Sequence, residues 1–489
     1  MEHFDLCVIG AGPSGYAAAM RAVDFQKKVL LIEKDVIGGA GITNGALSSK
    51  ALWEISRQFS TLRKRSEDLH MELPEINFGE IQSDVKKAVE DRKSILTDHV
   101  DRINKENHLV TLKFGTAKVV SNTTVQITLD DNSEIIEADN LILATGSRPR
   151  KLSHIPIDEK VILTSDGIDA LEAFPESMVI LGAGVIGCEF ATIFSGFGKT
   201  KMNLIDKGDR ILPFEDDDVV RVIEKTMEKN GVHIHRNSKL TRMDIVDGRV
   251  EYELEFTDGT NKIFNVEKAL VSVGRVPNYE NMGLEEIGIE MDGRGIIDNE
   301  TQTSISNIYA VGDITADIAL VNVGELEGRY AVERMFGIPE RKLVYENIST
   351  IMFLDPEVAG VGLNEIQAKQ KKIDFKIACV TYKFIPRAIA NRDTRGFIKL
   401  LVSNDDKMKL LGMRVVGQGA SAAIQAVALL IFMDKGIEEL AECVHPHPSI
   451  TEGIQECVRL LLGKSMFKPQ VYSHEITCKT CVNGEYVEA

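Results

Sequence analysis

The chain has 489 residues, of which 44% are hydrophobic, and it carries a formal net charge of −17. This length predicts about three domains with substantial buried cores. The negative charge disfavours nucleic acid as a partner, because a polyanion would be repelled. No signal-peptide pattern opens the sequence and no apolar run is long enough to span a membrane, so we expect a cytoplasmic protein. The seven cysteines are mostly isolated, which does not resemble a secreted disulfide framework, and no metal site is predicted.

Two glycine-rich turns of one type each follow a short apolar run. The first is Gly10-Ala11-Gly12-Pro13-Ser14-Gly15 and the second is Gly182-Ala183-Gly184-Val185-Ile186-Gly187. Each precedes a helix-like stretch and a second apolar run that ends in an acid, Glu33 or Asp206. In this pattern a pyrophosphate binds at the helix N-terminus and the acid accepts hydrogen bonds from ribose hydroxyls. We therefore predict two dinucleotide sites, one for a retained flavin and one for an exchangeable nicotinamide, with hydride passing between them.

The rest of the chain alternates between helical and strand-like patterns. Residues 50–107 predict a charged helix or helix pair, residues 109–138 alternating strands, and residues 140–146 a buried strand that ends against a ligand. Residues 250–266 predict a hairpin-like segment. Residues 303–336 predict an apolar strand and helix that return to the first domain, and a third module begins at residue 344.

The two glycine turns, together with Ala144-Thr145-Gly146, Ile308-Tyr309-Ala310-Val311-Gly312-Asp313 and the segment from His445 to Glu452, resemble the FAD-dependent pyridine nucleotide-disulfide oxidoreductases, dihydrolipoamide dehydrogenases most of all. The resemblance implies an α/β fold with two Rossmann-like dinucleotide-binding domains, a C-terminal α+β dimerisation domain, and a homodimer. The implied parts are an FAD-binding domain in two pieces, an NAD-binding domain, the dimerisation domain and a C-terminal tail (residues 1–148 and 275–343, 149–274, 344–466 and 467–489).

The resemblance also implies roles for individual residues. Lys50 pairs with Glu189 beside the flavin, where its positive charge favours the anionic reduced ring, and His447 with Glu452 forms an acid/base dyad that acts across the dimer. The cofactor contacts are Gly10, Gly12, Gly15, Glu33, Lys50 and Asp313 on the flavin side and Gly182, Gly184, Gly187 and Asp206 on the nicotinamide side, with Thr145, Gly146, Gly274 and Gly312 as further cofactor-binding positions. The residues alone leave a structural role open for Asp313, which could cap a helix, and for His447, which could be a turn residue.

Asp206 favours NAD over NADP, because a carboxylate repels a 2′-phosphate. Lys201, Lys207 and Arg210 lie close to it in sequence. Any of these three cations could receive that phosphate if its side chain turned inward, so NADP remains the alternative.

The segment before Lys50 departs from the family, which has a redox-active cysteine pair there. Residues 38–50 contain no cysteine, and alignment on Gly38-Gly39 and Ser49-Lys50 places Gly41 and Ala46 at the two positions. Neither can be a nucleophile or hold an electron pair. We therefore predict that electrons pass directly through the flavin between NADH and an unidentified acceptor, a small molecule or a redox protein.

Cys478-Lys479-Thr480-Cys481 lies beyond the part that resembles the family. This CxxC is a redox pair that replaces the lost disulfide, half of a metal site completed by His474 or by the other subunit's pair, or a pair of incidental thiols on a mobile tail. Three other functions stay open: a disulfide or dihydrolipoamide-type reductase that uses Cys478 and Cys481, a soluble pyridine nucleotide transhydrogenase, and a flavoprotein electron-transfer subunit of a larger complex.

Overall fold

The computed structural model describes residues 2–315, 318–337, 339 and 342–487. The chain begins with a βαβ unit whose first two strands are almost entirely apolar, as expected of parallel strands covered on both faces. Its elements up to residue 149 are β1 (His3–Ile9), α1 (Pro13–Asp24), β2 (Val29–Glu33), α2 (Ala46–Leu69), α3 (Phe78–Asn107), β3 (Val110–Phe114), β4 (Thr116–Val119), β5 (Thr124–Leu129), β6 (Asn132–Leu143) and β7 (Ser147–Pro149). The charged stretch that the sequence left as one helix or two forms α2 and α3.

A second βαβ unit follows and carries a separate three-stranded sheet. Its elements are β8 (Ile162–Leu163), β9 (Ser177–Leu181), α4 (Val185–Phe197), β10 (Lys201–Ile205), α5 (Asp217–Lys229), β11 (Val232–His235), β12 (Ser238–Val246), β13 (Arg249–Phe256), β14 (Asn261–Val266), β15 (Lys268–Val271) and β16 (Arg275–Pro277). The strand orders are β11-β10-β9-β15-β8 and β12-β13-β14. Because β7 pairs with β16, a two-stranded ribbon marks both crossings between this second module and the first.

The chain then returns to the first module through β17 (Ile308–Ala310) and α6 (Val321–Phe336). The first sheet has the order β3-β2-β1-β6-β5-β4, and β17 pairs in parallel with β6. The sequence predicted this return from an apolar strand ending in Gly-Asp.

The third module is an antiparallel sheet with helices. Its elements are β18 (Ser349–Met352), β19 (Val358–Gly362), α7 (Glu365–Gln370), β20 (Phe375–Thr381), α8 (Pro386–Ala390), β21 (Phe397–Ser403), β22 (Leu410–Val416), α9 (Ala420–Ala423), α10 (Gln425–Phe432), α11 (Glu438–Glu442), α12 (Glu452–Leu461), β23 (Ile476–Val482) and β24 (Glu485–Val487). The strand order is β18-β19-β22-β21-β20-β23-β24, so the C-terminal hairpin extends the sheet. None of the helices in the described ranges is both long enough and apolar enough to cross a membrane.

Helices α2 and α4 pack directly on each other and bring the first two modules together. Eleven of the thirteen residues of α4 are buried, because its outer face is covered by α2 and its inner face by the second sheet. Ser56 donates a hydrogen bond to the carbonyl of Ile193 over 2.7 Å, and a Cβ at Gly196 would lie 2.3 Å from the Ser56 hydroxyl. The absence of a side chain at Gly196 therefore sets how closely the two helices approach.

A buried ionic cluster joins the second module to the third. The ammonium of Lys399 is 1% exposed and lies 2.7 Å from Asp216, 2.7 Å from Asp218 and 2.6 Å from Glu365. Burial opposes the charge on Lys399, but the three carboxylates outweigh it and raise the pKa of the lysine. The lysine occupies the space between three acids whose oxygens could otherwise hold a cation, so the cluster is an ion-pair junction between modules.

We expect Lys399→Met to lower the thermal unfolding midpoint strongly, since it would leave three carboxylates facing each other without a cation. Removing one partner of a buried ion pair typically destabilises a protein by about 3 to 5 kcal/mol. The matched control is Lys409→Met, because Lys409 pairs with Asp434 on the surface, where such pairs contribute about 0 to 1 kcal/mol. Calorimetry of both variants tests this, and equal small shifts would contradict it.

Candidate active site

The first glycine loop (residues 10–15) is shaped by backbone contacts that exclude side chains. Gly10 has a φ of +104°, and a Cβ there would lie 2.4 Å from the carbonyl oxygen of Ala144. A Cβ at Gly15 would lie 1.9 Å from the carbonyl oxygen of Gly10. Gly12 differs, because a Cβ there would meet nothing within 4 Å, and no side chain caps α1 at this residue. The helix N-terminus therefore has an open, uncapped cradle that fits a pyrophosphate.

The second glycine loop (residues 182–187) repeats this geometry. Gly182 has a φ of +106° and approaches the carbonyl of Ser272, which a Cβ would reach at 2.5 Å. A Cβ at Gly187 would lie 1.9 Å from the Gly182 carbonyl oxygen, whereas one at Gly184 would meet nothing within 4 Å. Helix α4 also begins without a side-chain cap. The chain thus contains two cradles of one design.

The two acids predicted to bind ribose hold the glycine loops. Glu33 accepts the Ala11 N–H and Asp206 accepts the Ala183 N–H, at 2.9 and 2.7 Å. The second oxygen of each accepts another backbone N–H, from Asp35 and Gly208 respectively, over 2.9 Å. A carboxylate has about four acceptor sites, so each acid retains capacity for ribose hydroxyls. These acids therefore order the loop and remain able to bind a ligand.

The cations near Asp206 are placed unequally. Lys201 begins β10, so its Cα lies about 13 Å or more from the Cα of Asp206 at the ordinary rise of a strand. The Arg210 guanidinium hydrogen-bonds Asp217 and the Glu215 carbonyl. Lys207 is exposed beside Asp206. Two of the three cations that could have received a 2′-phosphate are thus distant or engaged elsewhere, which favours NAD.

Lys50 and Glu189 form the ion pair that the resemblance predicted. Lys50 Nζ lies 3.0 Å from Glu189 Oε2, and the Glu189 side chain is only 7% exposed. The other carboxylate oxygen accepts the backbone N–H of Phe353 over 3.0 Å. The pair lies where α2 and α4 pack together, and Phe353 completes it from the third module.

Hydrogen bonds join several of the other predicted cofactor-binding residues and their neighbours. Thr145 donates to the carbonyl of Asn278, whose side-chain amide donates to the Thr145 carbonyl over 3.0 Å. Ser147 donates to Asp313 over 2.6 Å and accepts from the Arg275 guanidinium over 2.7 Å. The glycines of this region, Gly146, Gly274 and Gly312, have positive φ values of 68°, 97° and 73°. This network brings Asp313 and the turn after Gly274 to the ribbon between the first two modules.

His447 and Glu452 are hydrogen-bonded, with Nδ1 of the imidazole 2.9 Å from Oε1 of the carboxylate. Burial opposes ionisation of Glu452, but the bonds from His447 and from the Ser449 N–H outweigh it and lower the pKa of Glu452. The His447 side chain is 70% exposed. Since Nδ1 faces the carboxylate, Nε2 is the ring nitrogen left to exchange a proton with another molecule.

The structure does not bring Cys478 and Cys481 together as a redox pair. Both lie in β23, where residues three apart point to opposite faces and their Cα atoms are about 10 Å apart. A disulfide requires a Cα separation below about 7 Å. Burial raises the pKa of both thiols, which disfavours the reactive thiolate. The predicted mobile tail is instead a strand of the third sheet, because its backbone pairs with β20.

Sequence reasoning missed Phe353, Ser147 and Arg275 as members of the site. Arg275 follows Gly274 and Ser147 follows Gly146, so both were adjacent to predicted residues. Phe353 carried no signal, because it is 303 positions from Lys50 and only the packing of the third module brings it there.

The chain combines two dinucleotide cradles, a Lys-Glu pair between them and a third, antiparallel module. This combination is typical of a flavoprotein oxidoreductase that binds two dinucleotides. The family model for pyridine nucleotide-disulphide oxidoreductase matches residues 4–328, and the model for the dimerisation domain of that family matches residues 348–458. The chain belongs to this family. It is an enzyme of the flavin-dependent oxidoreductase class, and the cofactors of its group are FAD and NAD(H).

The similar proteins include dihydrolipoyl dehydrogenases. That of Geobacillus stearothermophilus is 34% identical over 460 residues, which cover 93% of this chain and 96% of the relative. That of Bacillus subtilis is 33% identical over 465 residues, with 94% and 96% covered. The crystal structure of LpdA from Mycobacterium tuberculosis is 26% identical and has a TM-score of 0.86, covering 94% of this chain and 100% of that one. The predicted family and fold class are confirmed.

The glycine geometry predicts opposite outcomes for two alanine variants. Gly12→Ala should fold with near-native stability, because its Cβ meets no atom, but it should weaken FAD binding about tenfold or more, which is about 1.4 kcal/mol, by filling the cradle. Gly15→Ala should lower the unfolding temperature, because its Cβ would overlap the Gly10 carbonyl. Flavin content on purification and thermal melts measure both. Normal FAD affinity in a folded Gly12→Ala protein would contradict this placement.

Replacing His447 with alanine should raise the pKa of Glu452, since the imidazole hydrogen bond that lowers it is lost. A carboxyl whose pKa is lower in the folded chain stabilises the fold above its unfolded-state pKa, about 4.3, and loses that contribution as the pH falls through the folded value. Carboxyl-carbon NMR titration of Glu452 in both proteins tests this. An unchanged midpoint would mean that the Ser449 N–H alone sets the shift.

Proposed function

We propose that this protein is an FAD-dependent NADH oxidoreductase whose flavin passes electrons directly to an acceptor, without a dithiol relay. The observation that carries the proposal is the segment of residues 38–50, which leads into α2 and Lys50 and has no cysteine. The resemblance places the redox pair of the family in this segment, so we take the dithiol relay to be absent.

The packing around this segment supports the proposal. A Cβ at Gly41 would lie 2.4 Å from the Cγ of Pro13, so the backbone here leaves no room for a side chain at that position. Ala46 begins α2 and carries only a methyl group. Cys7, Cys188, Cys457 and Cys481 are fully buried, and such thiols are inert.

Bound FAD would supply a ring that takes up two electrons as hydride from NADH and releases them to the acceptor. The first glycine loop and Glu33 would hold the flavin nucleotide, and the second loop with Asp206 would hold NADH. Lys50 would place its positive charge beside the ring, favouring the reduced form. Glu189 would keep that lysine oriented, because a buried carboxylate and an ammonium at 3.0 Å restrain each other.

A homodimer fits the third module. Large apolar side chains are exposed there, among them Leu429 (55%), Met433 (52%), Val444 (94%) and Met466 (66%). The match of residues 348–458 to the dimerisation domain of the family supports pairing of two copies through this module. Pairing of two copies would also place the exposed His447 near a partner subunit.

The intact His447–Glu452 pair favours one second candidate, a reductase of the dihydrolipoyl dehydrogenase type that acts on disulfides. In that reaction the imidazole exchanges a proton with a thiolate. Because the chain carries no cysteine in residues 38–50, the thiols would have to come from the substrate itself or from another protein.

An anaerobic titration with NADH tests whether the flavin alone takes up the electrons, and NADH oxidation measured with and without an added small disulfide such as lipoamide separates the two candidates. Direct transfer predicts that each subunit takes up two electrons, with bleaching of the flavin band and no thiolate-to-flavin charge-transfer band. The double variant Cys478→Ser/Cys481→Ser is the matched control and should give the same count. Uptake of four electrons that falls to two in this variant would overturn the proposal and show that the C-terminal thiols exchange electrons with the ring.

A further inference from the structure

Phe353 contacts both members of the Lys50–Glu189 pair. Its backbone N–H donates to Glu189 Oε1 over 3.0 Å, and its ring centre lies 4.9 Å from the ammonium of Lys50. It directly follows β18 and therefore belongs to the third module. One residue of that module thus touches a lysine of the first module and a glutamate of the second.

The two contacts restrain different atoms. Because the Phe353 N–H holds Oε1, Glu189 presents Oε2 to the lysine and cannot rotate without breaking a bond to a buried carboxylate oxygen. The aromatic face holds the ammonium from another side, a cation–π contact that contributes about 0.5 to 1 kcal/mol at exposed sites and more where water is excluded. Lys50 is 30% exposed, and the ring joins Glu189 and the Ser49 hydroxyl in contacting its ammonium.

Trp53 fixes the Phe353 ring. The two rings are T-shaped, with centroids 5.2 Å apart, and Trp53 is 8% exposed. Trp53 lies three residues after Lys50 on α2, so both side chains occupy one face of the helix. The ring of Phe353 therefore contacts two residues of α2, the ammonium of Lys50 and the indole of Trp53.

We propose that Phe353 is a positioning residue for the Lys50–Glu189 pair and makes the geometry of the pair depend on docking of the third module. This inference deepens the proposed function, and it rests on that function only where Lys50 is taken to act on the flavin.

Two measurements on Phe353→Leu and Phe353→Tyr test it. The first is the rate at which trinitrobenzenesulfonate labels Lys50 in the full chain without flavin, followed by peptide mass spectrometry, since this reagent attacks the uncharged amine. The second is the ratio of reduced to oxidised flavin in the FAD-loaded protein at a fixed ratio of NADH to NAD. Phe174→Leu is the matched control, because Phe174 packs against Phe78 with centroids 4.6 Å apart and is half-buried like Phe353.

We expect Phe353→Leu to speed Lys50 labelling about 2- to 5-fold, the factor that corresponds to the cation–π contact, and to lower the reduced fraction of the flavin. Phe353→Tyr, which keeps the ring, should behave as wild type, and Phe174→Leu should change neither readout. Far-UV circular dichroism and the thermal unfolding midpoint verify that each variant is folded, and Phe353→Met replaces the leucine variant if that one is not.

Unchanged labelling of Lys50 in the folded leucine or methionine variant would overturn the inference. So would equal effects of Phe353→Leu and Phe353→Tyr, since the ring would then be irrelevant. Lys50→Met separates this failure from that of the proposed function. If Lys50→Met leaves the flavin ratio unchanged while Phe353→Leu still speeds labelling of Lys50, Phe353 positions the pair and the assigned action of Lys50 on the flavin is wrong.

Discussion

The ammonium of Lys50 and the carboxylate of Glu189 lie 3.0 Å apart because α2 and α4 pack directly against each other. That packing depends on a glycine, Gly196, where a side chain would overlap Ser56 of α2. A buried carboxylate is stable only when hydrogen-bonded and paired, and Glu189 satisfies this with one group from the first module and one from the third. The contacts that fix the relative placement of the three modules are therefore also the contacts that pair the buried charge of Glu189.

The two dinucleotide cradles show how the same physical constraint recurs in different sequence surroundings. In each loop two glycines are required by backbone contacts within the fold, while the middle glycine has free space in front of it. Internal packing does not require a glycine at the middle position, so the free space there supports the proposed binding of a ligand. An acid at the end of the next strand then holds each loop through a backbone N–H.

Local patterns predicted a large part of this fold. Each glycine turn and its acid, Glu33 or Asp206, are signals within about 30 residues of each other, because a βαβ unit is a local structure. The family and the α/β class followed from them. The C-terminal CxxC was misleading, because its spacing suggests a redox pair, whereas pairing with β20 turns its two thiols to opposite faces of a strand.

By itself the sequence determined the presence of two nucleotide-binding units, the family, and the lack of a cysteine in residues 38–50, since each depends on residue identity within a short segment. Only the tertiary structure decided that Gly41 is closed against Pro13, that Lys399 occupies a cluster of three acids, and that Phe353 joins the Lys50–Glu189 pair. These contacts join residues far apart in the chain. Their positions depend on how whole modules pack, which no local pattern encodes.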